Sequence, residues 1–156
     1  MARSCLPLWP LILFGILEPL ALIWASIIAT TNPLTFFAAQ APYPTIVKNE
    51  AENDNSNFFP PQAHALTLQI GNVFLLLAAL AIICSWTTHK EIAKRYLVVV
   101  ACADVGHIYA VYAAVGPQYF GNVAEWNDMM WGNVGCSLFL HVNRWATVAG
   151  WFGRVG

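Results

Sequence analysis

LTLQIGNVFLLLAALAIICSW, residues 66–86, holds 21 residues without a single charge. A helix rises 1.5 Å per residue, so this run extends about 31 Å. The hydrocarbon core of a bilayer is about 30 Å thick, and a spanning helix needs about 20 mostly apolar residues. In water so long an apolar stretch would have to be buried on every side. In lipid it needs no such cover.

Three further runs have the same character: LPLWPLILFGILEPLALIWASII at 6–28, YLVVVACADVGHIYAVYAAVG at 96–116, and WGNVGCSLFLHVNRWATVAGWF at 131–152. The last is the least apolar. The whole chain agrees with them. Of its 156 residues 58% are hydrophobic and only 10% charged, against about a quarter charged in ordinary soluble domains, and its mean hydropathy is +0.57. The expectation is an all-α protein, one membrane domain over 1–156, built as a four-helix transmembrane bundle. The first run could instead serve as a secretory signal, since Arg3 precedes an apolar stretch. Glu18-Pro19 interrupts that stretch and apolar residues continue to Ile28, which favours a span.

The connecting segments orient the bundle. Lys90, Lys94 and Arg95 crowd the turn between the second and third runs, Arg3 precedes the first and Arg154 follows the fourth. Glu50, Glu52, Asp54, Glu125 and Asp128 fall on the other side, opposed only by Lys48. The positive-inside rule then places both termini in the cytoplasm. The connection at 31–65 becomes a long luminal loop, with TFFAAQ on the membrane surface and KNEAENDNSN as a polar tract. Tyr119, Phe120, Trp126 and Trp131 suit the interfacial aromatic belt. Integral multi-pass insertion is expected, with the endoplasmic reticulum as the default compartment.

Several function classes are excluded. There is no phosphate-binding loop, dinucleotide-binding glycine pattern or nucleophile elbow. A net charge of -1 and the absence of a basic stripe argue against nucleic acid. Cys5, Cys84, Cys102 and Cys136 match no metal spacing and read as small packing residues. No metal and no cofactor is implied.

Chemistry is concentrated in the ionisable residues at membrane depth. Glu18 lies about 18 Å into the first run from the cytoplasmic end. Asp104 and His107 lie about 12 and 16 Å into the third, and Arg144 about 20 Å from the luminal end of the fourth. A charge so deep costs about 2.5–3.5 kcal/mol on insertion scales, so it is paired or faces a polar cavity. Asp104 and His107 are three residues apart on one helix face and can hydrogen-bond. Asn133, Ser137, His141 and Arg144 form a polar stripe; Gln69 and Asn72 form a shorter patch. Four such faces turned inward would line one central cavity. Glu18, Asp104 and His107 are the candidate catalytic groups. Asn72, Tyr109, Tyr112, Trp131, Asn133 and Arg144 are candidates for binding a lipophilic small molecule. The alternative is that these side chains only hold helices together, with Glu18 and Arg144 as a structural ion pair.

The segments LEPLAL around Glu18, QIGNVFLLLAAL with Gln69 and Asn72, ADVGHIYAVYAAVGPQ around Asp104 and His107, and AEWNDMMWGNVG around Trp126 and Asn133 resemble a family of small fungal four-span membrane proteins known as a domain of unknown function. The resemblance covers nearly the whole chain except 48–61, and implies a fold but no activity. A looser similarity, of chemistry and not fold, links the buried acids to fungal membrane terpene cyclases and the carboxylate with histidine to membrane sterol isomerases. Three readings follow. One is a cofactor-free cyclase or isomerase of a terpenoid or polyketide intermediate in fungal secondary metabolism. Another is a non-enzymatic scaffold or accessory subunit. The third is a small-metabolite transporter, which would need an oligomer to make a path.

Overall fold

The computed structural model describes residues 4–41 and 59–156. Arg3, Lys48 and the acidic residues at 50, 52 and 54, which enter the orientation argument, lie outside the described residues, as does most of the long connection. Among the described residues the structure is all helix: α1 (Leu8–Thr31), α2 (Pro33–Gln40), α3 (Pro61–Ser85), α4 (Lys90–Gly121) and a fifth helical run, α5, over 128–148. A short 3-10 turn, Val123–Glu125, joins the last two.

Three helices, α1, α3 and α4, are long and apolar enough to cross a membrane. The sequence leads to four. The difference lies in α5, where Asn133, His141, Asn143 and Arg144 lower the apolarity and a π-helical segment, Trp131–Cys136, precedes the regular helix Ser137–Val148.

Local chemistry sets the boundaries. Pro33 and Pro61 open α2 and α3, where a missing N–H costs nothing. Asn127 caps α5, its Oδ1 accepting from the Met130 N–H at 2.8 Å. Gly116 has φ 79°, a conformation that favours glycine, and kinks α4 just before Pro117. Two buried hydroxyls return to their own backbone: Thr67 donates to the Ala63 carbonyl at 2.8 Å and Thr147 to that of Asn143 at 2.7 Å.

Pro19 is the one interior proline of α1. It has no N–H to offer the carbonyl of Gly15, four residues earlier. A π-helical turn, Leu13–Leu17, precedes it, and the Gly15 carbonyl accepts instead from Trp86 Nε1 at 3.1 Å. Gly15 also permits the approach: a methyl there would come within 2.9 Å of the Trp86 ring nitrogen and 3.2 Å of Ser85 Cβ.

The helices form two pairs. In the first, α1 packs on α3 through small residues. Ser26 and Ala29 meet a face of α3 that buries Ala63, Thr67, Gly71, Ala78, Ala81 and Ser85. A methyl on Gly71 would lie 3.3 Å from Thr30 Cγ2 and 3.5 Å from Ala29 Cβ. Close backbone approach of this kind is how membrane helices gain van der Waals contact. In the second pair, α4 buries Ala93, Leu97, Ala101 and Asp104 toward α5 and the first turns of α1. His141 Nδ1 lies 2.9 Å from the Ala101 carbonyl and ties the two helices.

One end gathers both ends of the chain and the 86–89 turn. The Cys5 N–H donates to the Thr87 carbonyl at 3.0 Å, and the Gly156 N–H to that of Cys5 at 3.1 Å. Cys5, Leu6, Leu13, Phe14, Leu97 and Val155 fill this basic end. At the opposite end Val111, Tyr119, Met130 and Val134 make a second small core. All four cysteines are free; only Cys5 is buried, and Cys102 and Cys136 face outward, so packing is not their common role.

Candidate functional site

Between the two cores sits an ionic cluster. Arg144 is 1% exposed and spreads its guanidinium between helices. One terminal nitrogen donates to Asp104 Oδ2 on α4 and the other to Glu18 Oε1 on α1, each at 2.5 Å. The Phe14 ring lies under the guanidinium, 5.3 Å from its centroid to Cζ, in position for a cation–π contact. Phe14 precedes Glu18 by four residues and therefore shares its face. Asn143, beside Arg144, accepts from Trp9 Nε1 at 3.0 Å. Helix α5 is thus bound to α1 at two successive positions.

The cluster has one positive and two negative charges, and is neutral when it holds one proton. Two of its polar atoms, Glu18 Oε2 and Arg144 Nε, are buried without a hydrogen-bond partner among the described residues. Arg144 is held through its terminal nitrogens alone, and Glu18 retains an oxygen that could carry a proton.

Away from the basic end, the two helix pairs diverge and α2 lies across the gap. This leaves an open cleft of about 300 Å³. Its walls are Phe36, Phe37, Leu66, Ile70, Phe74 and Val111, and its polar points are Gln40, Thr67, His107 and Asn133. Phe36 and Phe74 meet edge to face at 6.3 Å. The Asn133 amide donates to Gln40 Oε1 at 2.7 Å, and Asn127 to the Ala39 carbonyl at 3.1 Å, which fixes α2 to the start of α5. His107 is the one titratable side chain among the cleft residues.

The structure distributes the expected site residues among four places. Glu18, Asp104 and Arg144 come together at the centre. His107 and Asn133 line the cleft. Asp104 pairs with Arg144 and not with His107, although the two share a helix face. Tyr109, Tyr112 and Trp131 belong to a chain of rings that continues through Phe120 and Trp126, with successive centroids 5.1–6.5 Å apart. Tyr109 is 68% exposed on the outer surface. Asn72 and Gln69 point away from the other helices. The four polar faces thus do not share one central cavity, because the centre is filled by the ionic cluster. Gln40 and Thr67 are cleft residues that the sequence did not single out, since a hydroxyl and an amide near a helix end carry no distinctive pattern.

No group of three or more metal-ligating side chains converges among the described residues.

Long apolar helices joined by a buried charge cluster define a protein of the multi-pass membrane class. Within that class, the chain belongs to the family described as a domain of unknown function, DUF7704, which matches residues 3–154. That match bears out the resemblance to a family of unknown function. No curated protein and no solved structure matches the chain.

Proposed function

We propose that the chain spans the bilayer four times, with both termini cytoplasmic, and admits a lipophilic small molecule into the cleft between its helix pairs. There it acts as a cofactor-free isomerase or cyclase. The observation that carries this reading is the cleft itself: an apolar, aromatic-walled space at membrane depth with His107 and an Asn133–Gln40 pair at its polar points. Such a site suits a hydrophobic molecule with one polar group, of terpenoid or polyketide type.

The orientation is supported by Lys90, Lys94, Arg95 and Arg154 near the end where both termini meet, and by Glu125 and Asp128 at the other. The fourth span is α5. It packs along α4 and turns Leu138, Phe139, Val142 and Trp145 outward.

Isomerisation adds a proton to one carbon of a double-bond system and removes one from another, so the product has the substrate's formula. A side chain that exchanges protons within the cleft meets that need. His107 is that group. Asp104 lies three residues away on the same helix, about 4.5 Å of rise, and the cluster's unpartnered Glu18 oxygen provides a place to hold the proton.

A second reading has its own observation. Both carboxylates are engaged by Arg144, which suits a purely structural clamp in a scaffold protein. Microsomes carrying wild type, His107→Ala or Asp104→Asn at equal expression separate the two. They are fed lipophilic terpenoid and polyketide intermediates, and products are followed by mass spectrometry. An isomeric product made by wild type and lost in His107→Ala is the expected result. No conversion by folded wild type would sink the enzymatic reading, and undiminished conversion by His107→Ala would remove His107 from the chemistry.

A further inference from the structure

Helix α3 has two opposite faces. One, described above, is buried against α1. The other carries Ala65, Gln69, Asn72, Leu76, Ala79 and Ile83, and every one of these is exposed. Their spacing is 4, 3, 4, 3 and 4 residues, the seam that one helix presents to another in a coiled pair. At 100° per residue this seam lies roughly half a turn from the buried face. Among the described residues no helix covers it.

Two side chains in the seam are out of place for a lipid-facing surface. Asn72 is one residue from the middle of α3 (Pro61–Ser85), and Gln69 is one turn nearer the Pro61 end. Neither amide has a hydrogen-bond partner among the described residues. Thr30 and Thr67, by contrast, return their hydroxyls to carbonyls of their own helices. Hydrocarbon offers no hydrogen bonds, so a bare carboxamide near the middle of α3, with a second one turn toward the Pro61 end, calls for a partner.

We propose that this face of α3 is a self-association surface, and that its occupant is α3 of a second copy of the chain. A carboxamide is both donor and acceptor, so it is complementary to itself. A two-fold axis beside Asn72 would set each amide against its equivalent or against Gln69 of the other copy, as an isologous contact requires. Ala65 and Ala79 bracket the amides and let the backbones approach, while Leu76 and Ile83 supply apolar contact. Another protein's helix would need matching amides at the same depth. A second copy brings them by identity. The surface lies on the far side of α3 from the Glu18–Arg144–Asp104 cluster, so association leaves that cluster intact.

The test uses the full chain in phospholipid vesicles. Single-molecule photobleaching of fluorescently tagged wild type over a range of protein-to-lipid ratios gives the dimer fraction. A Gln69→Leu/Asn72→Leu variant should fold, since it makes α3 more apolar, and should weaken the dimer about tenfold. Disulfide formation gives an independent reading. In a background with the four native cysteines replaced, Leu76→Cys should cross-link two copies. Leu75→Cys, exposed but off the seam, should not. Wild type that stays monomeric at every density overturns the proposal. So does a dimer that survives loss of both amides, or equal cross-linking at both positions.

Discussion

The α1–α3 interface and the junction of α1, α4 and α5 solve one problem by opposite means. The first brings two helices together through Gly71, Ala29, Ser26 and other small side chains, and involves no charge. The second joins three helices through one guanidinium and two carboxylates. In lipid the hydrophobic effect does not drive helices together, so packing and polar contacts must. Small residues work where two helices run side by side for many turns. A long cation works where helices stay apart and must be bridged at one level. The cleft follows from this division: the helix pairs are clamped at Arg144 and separate above it.

The largest effect is expected at the clamp. Arg144→Met leaves Glu18 and Asp104 buried without their shared partner. Removing one member of a buried ionic group costs about 3–5 kcal/mol. The expected outcome is a large loss of folded protein, read by size-exclusion chromatography after heating in detergent. Near-normal melting would show that the carboxylates find water or each other, and that the clamp holds nothing.

The triple variant Arg144→Met/Glu18→Met/Asp104→Leu sharpens the comparison. It removes all three charges together, and replacing a complete buried charge group by apolar side chains of similar volume is often neutral. It should recover most of the stability lost in Arg144→Met. Recovery of fold together with loss of turnover would separate a chemical role for the carboxylates from a structural one. Recovery of both would assign them to structure.

The uncharged interface is expected to be less costly to disturb. Gly71→Val adds bulk where a single methyl already meets Thr30 at 3.3 Å. Overpacking of this kind costs about 1–3 kcal/mol. The same melting assay should place it between Arg144→Met and wild type. A loss equal to that of Arg144→Met would make the small-residue seam, not the clamp, the main source of stability.

The apolar runs were legible because twenty uncharged residues have few alternatives. The observed α1, α3 and α4 overlap the expected runs and exceed them, since Pro61 and Lys90 begin helices in polar sequence that hydropathy alone does not mark. The pairing of Glu18 with Arg144 was one of two readings the sequence left open. That Arg144 also takes Asp104 was hidden, because periodicity gives the face and depth of a residue but not which helix stands opposite. The same limit explains His107. Its spacing from Asp104 permits a hydrogen bond, yet the closer competition from a guanidinium on α5 turns the carboxylate away. Asn72 and Gln69 were grouped with inward residues because they are polar; the small residues on the opposite face of α3 decide that side, since only they allow the approach to α1.

The smallest effect concerns the hydrogen bond that compensates Pro19. Trp86→Phe keeps a large ring at the end of α3 but removes the donor to the Gly15 carbonyl. The net contribution of one such bond is about 1 kcal/mol. Melting should fall slightly, by less than in Gly71→Val. The companion change Pro19→Ala restores an N–H within α1, so it should offset the loss when combined with Trp86→Phe. Amide hydrogen exchange around 15–19 reads this directly: faster exchange in Trp86→Phe and slower in the double variant are expected. If Pro19→Ala gives no rescue, the π-helical turn at Leu13–Leu17 owes its form to the packing of Gly15 on Ser85 and not to the missing N–H.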